Sequence, residues 1–354
     1  MLKKDQRIRD SLIMACCVGA LGAFGAFFRW LQMQVARDAE TGLMDPSVLN
    51  FIVPIIIIAA AVTLYLRVKT LDSYALSGDE RDEYLEKHKD ASEAPDFGSF
   101  EFPTGLYDAM HFTSLAYIIL AWIIAAITVI GGIMTLTGSA LDAQRGSYVI
   151  ISALAVLSGL SFPLICNAAR RRYSPGLVSI FMTLPIIMYC LWLIVCYRAN
   201  SNNPNLWSYA IEVIAVCAVI LALLAVAGYA YGKAEPKKAC FLVFFGAFMC
   251  ITTLADSRYM GLELVILGTA GMLLLEGWLM ILNRRKVLPG DETAEPEQAI
   301  TPKEEEETEA GTDTVIEAGQ TEDAPEPTIQ APPQKKKKPS TDETVEQIIE
   351  EYKE

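Results

Sequence analysis

Four ionisable side chains stand inside otherwise apolar stretches of this chain: Arg29, Glu212, Glu263 and Glu276. A charge surrounded by hydrocarbon costs several kcal/mol unless it is paired or wetted, so such residues are the first candidates for function. Arg29 and Glu212 approach the same end of their segments and are expected to pair. Glu263 belongs with Asp256 and Arg258 at a corner that water reaches. Glu276 has Gly277 and Trp278 beside it and admits two readings, a proton or cation ligand or a carboxyl bonded to a neighbouring helix.

Uncharged polar residues gather in the fourth apolar run, where Ser158, Ser161, Cys166 and Asn167 accompany Pro163, and in the fifth, with Thr183 and Pro185. Proline frees backbone carbonyls, and interrupted helices are where transporters place binding sites near the bilayer midplane. Prolines also kink membrane helices that bind nothing. Ser158, Ser161, Asn167 and Glu276 therefore define a candidate path along the fourth, fifth and eighth runs, with Arg29 and Glu212 as further intramembrane polar groups.

Enzyme chemistry finds no footing. His88 and His111 are the only histidines, so no three-histidine metal site can be assembled. Neither a Gly-x-Ser-x-Gly turn nor a phosphate-binding Gly-x-x-x-x-Gly-Lys loop occurs. Asp108 and His111 lie one turn apart without a nucleophile. No catalytic residue, metal or cofactor is expected, and a non-enzyme is favoured.

The elements that must position these residues are eight apolar runs: Leu12–Leu31, Val48–Leu66, Thr113–Leu136, Ser147–Ala168, Gly176–Tyr197, Leu206–Tyr231, Ala239–Ala255 and Gly261–Leu282. Each has about the 20 residues that a helix needs to cross a bilayer. Backbone polar groups in lipid must be satisfied internally, so the runs are helices. The fold expected is an all-α polytopic membrane protein with eight transmembrane helices. The first run follows Lys3, Lys4, Arg7 and Arg9 but is too long for a signal peptide and reads as an uncleaved span. Gly19, Gly22 and Gly25 in the first run, with Gly268 and Gly271 in the eighth, permit close helix approach.

Basic residues cluster on alternate connections. Fifteen Lys and Arg flank the runs on one side, among them Lys3, Arg67, Arg170, Lys237 and Arg284, against Arg37, Arg145, Arg198 and Arg258 on the other. This bias places both termini in the cytoplasm. The absence of any Asn-x-Ser/Thr sequon points to a bacterial cell membrane.

The chain divides into a cytoplasmic N-terminus (1–11), a membrane domain (12–286) with one long cytoplasmic loop (67–112), an acidic tether (287–339) and a last segment (340–354). Within the loop, the aromatic-rich stretch 97–112 is expected to lie along the membrane interface. The net charge of −13 belongs to the tail: Pro289–Gln334 holds 14 acids against Lys303 alone, and the membrane body is close to neutral. A Glu-, Thr- and Pro-rich segment of this kind has too little apolar surface to order itself. Ser340 and Glu343 then fit a capping box, and Val345, Ile348, Ile349 and Tyr352 fall on one helical stripe. This short amphipathic helix is expected to bind a cytoplasmic protein. Lys335–Lys338 sits among acids, so nucleic acid is not an expected partner; membrane lipid is.

The sequence thus reads as a membrane-embedded scaffold that recruits a partner through its C-terminal helix, with a small-molecule transporter or permease as the alternative. It identifies no substrate, partner or oligomeric state.

Overall fold

The computed structural model describes residues 5–35, 47–76, 78–87, 97–112, 114–138, 145–171, 175–201, 209–256 and 258–287. Residues 288–339 of the tether and the segment 340–354, with Val345, Ile348, Ile349 and Tyr352, lie outside the described residues.

Eight helices are long and apolar enough to cross a membrane. They are α1 (Asp5–Val35), α2 (Leu49–Thr70), α5 (Leu115–Gly138), α6 (Arg145–Arg171), α7 (Pro175–Asn200), α8 (Ala210–Ala230), α9 (Pro236–Thr253) and α10 (Met260–Leu282). The chain is a multi-pass integral membrane protein. Each helix overlaps the run expected for it, with ends that differ by a few residues. Two short helices, α3 (Gly78–Lys87) and α4 (Leu106–Ala109), lie between α2 and α5.

The spans are apolar on all sides, so hydrophobicity alone does not choose their inward faces. Side-chain size does. Helices α5 to α10 pack in sequence order, and α10 returns against α5 to close the group; α1 and α2 form a pair against α9, with α1 also touching α10. Small residues line these contacts. A Cβ added at Gly131 of α5 would lie 2.7 Å from the carbonyl oxygen of Gly261 in α10. One added at Gly268 would collide with the hydroxyl of Thr128. The outward faces carry large exposed groups such as Phe27, Ile58, Trp122 and Ile180, the composition that lipid tails require.

Turn chemistry fixes the antiparallel neighbours. Helix α8 ends at Gly232, whose φ of 65° is the left-handed conformation that glycine adopts without a Cβ penalty. Lys233 N donates to Gly228 O at 2.9 Å and Gly232 N to Tyr229 O at 3.4 Å, a Schellman ending. Pro236 then opens α9, where its missing N–H costs nothing.

One end of the bundle carries a small sheet. Strands β1 (Ser73–Ala75), β2 (Phe97–Glu101) and β3 (Arg285–Val287) pair antiparallel in the order β1-β2-β3, with Ser73 opposite Ser99 and Phe100 opposite Lys286. Thus the helical reading holds for the membrane body, while the stretch 97–112, expected to lie along the membrane interface, contains strand β2 and the short helix α4. Residues 97–101 alternate exposed and buried, the period-2 signature of a strand. The strand is completed by residues that follow the last span, beyond the reach of a local reading. Val287 consequently belongs to the folded body rather than to the tether.

The close α5–α10 contact is open to test. Gly131→Leu must displace a backbone and is expected to destabilise the protein by about 1–3 kcal/mol or more. Gly19→Leu, where an added Cβ meets nothing within 4 Å, should leave stability near wild type. Thermal unfolding in detergent compares them, and equal melting temperatures would refute the proposed contact.

Candidate functional site

Buried polar groups concentrate at three levels of the bundle. At the end away from the sheet, the short turn between α9 and α10 places Asp256 and Arg258 over the helix ends. Asp256 N donates to Thr253 O at 3.2 Å, closing the turn and aiming its carboxylate inward. Arg29 Nε of α1 meets Asp256 Oδ1 at 2.6 Å, and Arg258 Nη2 meets Asp256 Oδ2 at 2.6 Å. Arg258 Nε stands 3.1 Å from Glu212 Oε1 of α8. Trp192 of α7 donates to the same Glu212 oxygen at 3.1 Å. From Arg29 the network continues through Gln32 to Asn50 of α2, each step 2.8 Å.

Arg29 is fully buried and Asp256 is 7% exposed. Two guanidinium groups face two carboxylates, so the cluster is neutral. Burial works against the charge on Arg258, but Asp256 and then Glu212 outweigh it and hold its pKa above the ordinary value. The expected direct pair between Arg29 and Glu212 is therefore not formed. Asp256 and Arg258 stand between them as a bridge, because the α9–α10 turn projects both over the helix ends. Among the described residues the bridge runs through Glu212 rather than Glu263.

Midway along the bundle, Tyr189 of α7 donates its hydroxyl hydrogen to Thr269 Oγ1 of α10 at 2.8 Å. Its ring stacks on Trp192 with centroids 5.6 Å apart. This contact ties the mid-bundle to the far-end cluster.

Nearer the sheet, Glu276 of α10 is 3% exposed. Its Oε2 has no hydrogen-bond partner among the described residues. The carboxyl lines a cavity of about 10 Å³ with Met110, Phe162, Ile165, Cys166, Leu275 and Leu279, room for about one water molecule. The sheet-end segment 105–112 closes this cavity through Met110, and it is held by Asn283, whose Nδ2 donates to Ala109 O and His111 O, each at 2.8 Å.

The candidate path does not assemble as expected. Glu276 meets α6 at Phe162, Ile165 and Cys166 rather than at its serines. Ser161 Oγ donates to Ser158 O in its own helix at 2.8 Å, which ties it to the backbone. Ser158 is buried, its hydroxyl without a partner among the described residues, one turn or more from the cavity wall. Asn167 is half-buried. Helix α10 packs on α5 and α9 far more than on α6, because its glycines face those helices.

Arg284 drew no attention in the sequence beyond its positive charge, yet it is fully buried. Its guanidinium lies 4.5 Å from the Phe100 ring centroid and 5.6 Å from that of Phe102. It donates to Ile281 O at 2.9 Å, to Asp10 Oδ2 at 2.9 Å and to Leu71 O. Burial pulls its pKa below the ordinary value, against the opposing pull of Asp10. In Arg284-Arg285-Lys286 nothing marks the first residue as different from a basic flank. Trp192, Tyr189 and Thr269 were likewise missed, since apolar spans routinely carry such residues.

The fold and its polar interior define an eight-span integral membrane protein with a sheet at one end and a closed ionic cluster at the other. No family model, curated protein or solved structure matches the chain.

Removing one member of a buried ion pair strands its partner and costs about 3–5 kcal/mol, whereas removing both costs much less. Asp256→Leu removes the carboxylate that meets both Arg29 and Arg258 and is expected to destabilise the protein strongly. Arg29→Met with Asp256→Leu keeps the Arg258–Glu212 pair and should recover much of that loss. Chemical unfolding of the two variants decides it; a double variant weaker than Asp256→Leu alone would show that Arg29 and Asp256 do not act as a pair.

Proposed function

We propose that this protein is a cell-membrane platform whose sheet end and tail face the cytoplasm and present a docking helix to a cytoplasmic protein. The observation that carries the reading is the fixed exit of the chain from its last span. Arg284 is buried against Phe100 and Phe102 and bonded to α1, while Arg285–Val287 complete the sheet. A chain that serves only to end a membrane helix needs no such anchorage. A tether that presents a binding segment gains from leaving a rigid surface, because linker length then sets the effective concentration of the docked partner. The basic flanks at this end support its cytoplasmic placement. The stripe Val345, Ile348, Ile349 and Tyr352 supplies the apolar face that a groove on the partner would accept.

A second reading is favoured by one specific observation, the Glu276 carboxyl in its cavity, whose Oε2 has no hydrogen-bond partner among the described residues. In this reading the protein is a transporter and Glu276 is the coupling group. Orphaned acids are rare in spans and mark ion pathways.

Two experiments separate the readings. Full-length protein in lipid nanodiscs is expected to retain a cytoplasmic protein that Ile348→Ala with Ile349→Ala loses; equal retention by both forms would remove the docking role. Under the transport reading, Glu276→Gln should abolish solute uptake in cells at unchanged expression, and a fully active Gln variant would remove Glu276 from coupling.

A further inference from the structure

Thr269 and Glu276 share one face of helix α10. Ile266 lines a small cavity beside Glu212, Arg258 and Tyr189, Thr269 accepts the Tyr189 hydroxyl hydrogen, and Glu276 lines the cavity near the sheet. Thr269 and Glu276 are seven residues apart, two turns along the same face and about 10 Å at 1.5 Å per residue. Beside this face, Glu276 is the one buried acid among the described residues whose carboxylate meets no cation.

The walls of its cavity say what it can hold. Met110 comes from the segment after α4; Phe162, Ile165 and Cys166 come from α6; Leu275 and Leu279 come from α10 itself. Cys166 is the titratable group facing it. The other elements packed on α10 direct their titratable groups elsewhere. From α5, Tyr117 accepts a hydrogen bond from Trp278 at 3.0 Å. From α9, Phe244 closes on Gly277, and Cys240 lies in the field of Arg284 and Asp72. From α1, Asp10 binds Arg284 and Arg7 lies over Phe100. Beyond the sheet end, Arg285 pairs with Asp108 at 3.4 Å. A hard metal cation takes about six or more oxygen ligands, and this site offers one carboxylate, one thiol and one thioether. The cation that needs only a single carboxyl oxygen is the proton.

We propose that Glu276 is a proton-exchange site that loads and unloads through water entering from the sheet end past Met110. In the closed form the carboxyl is a neutral acid. When Met110 moves and water enters, the O–H bond breaks, the proton passes to that water as hydronium, and both bonding electrons stay on the carboxylate. Reloading is the reverse. Asn283 holds the carbonyls on either side of Met110, so displacement of the segment after α4 controls access. The inference concerns the same carboxyl as the transport reading, but it requires no solute to move.

Dicyclohexylcarbodiimide tests it, since the reagent enters lipid and adds only to a protonated carboxyl, which then rearranges to a stable N-acylurea. Full-length protein in lipid vesicles is treated over a range of pH and mapped by mass spectrometry. The expected result is an adduct at Glu276 that falls several-fold as the pH is raised, is absent in Glu276→Gln, and forms several-fold faster in Met110→Ala. No adduct in the wild type, or one whose yield ignores pH, overturns the exchange site; an unchanged rate in Met110→Ala overturns the route. A pH-dependent adduct together with full uptake by Glu276→Gln upholds the proton site and removes only the coupling reading. Loss of uptake in Glu276→Gln without a pH-dependent adduct does the opposite.

Discussion

A charge in a hydrocarbon layer must bring its own counter-charge, and the arrangement of the far end follows from that constraint. Asp256 is placed between two guanidinium groups, Arg258 between two carboxylates. No member can leave without exposing another to a medium of low polarity. The cluster gathers α1, α8 and the α9–α10 turn, and its hydrogen bonds extend to α2 through Gln32 and Asn50 and to α7 through Trp192. Helices that have no hydrophobic reason to prefer one another over lipid are thereby fixed in register at one level.

The opposite end solves the same problem with a different mixture. Arg284 has a single carboxylate partner, and the rest of its surroundings are backbone carbonyls and two aromatic rings. A planar guanidinium is suited to this combination of stacking and forked donation in a way that an ammonium is not. Between these ends the helices need no charge to hold together. Gly131, Gly261 and Gly268 bring α5 and α10 into backbone contact, where dispersion and packing act over short distances.

Much of this order was legible in the sequence, and what was hidden has a common cause. The spans announce themselves because length and apolarity are local properties, and bilayer thickness sets the threshold. The corner formed by Asp256 and Arg258 was visible for the same reason, being two charges in one short turn. What Arg29 pairs with depends on which helices adjoin, and uniformly apolar helices carry almost no information about their neighbours. The sheet was hidden for a related reason: Glu101 pairs with Arg285 across most of the chain. Arg284 was hidden by its context, since a basic residue after a span already has an explanation in topology. Glu276 stood out in both descriptions because no explanation of that kind covers it.

That contrast bears on how the interior should be read. Sequences that fold well satisfy local and global demands together, and departures from that consistency are expected at functional sites. Among the described residues, the charged side chains buried in this bundle fall in three places. Two of them are complete: each cation there has an anion, and Glu212 adds a hydrogen bond from Trp192. At the third, a carboxyl stands among Phe162, Ile165, Leu275 and Leu279 with one oxygen unpartnered. Replacing it with leucine or methionine would suit the packing better, and the surrounding helix already carries both residue types. An acid placed where an apolar side chain would pack more favourably is explained by what an acid can do that an apolar group cannot, and in so small a cavity that is to hold and release a proton.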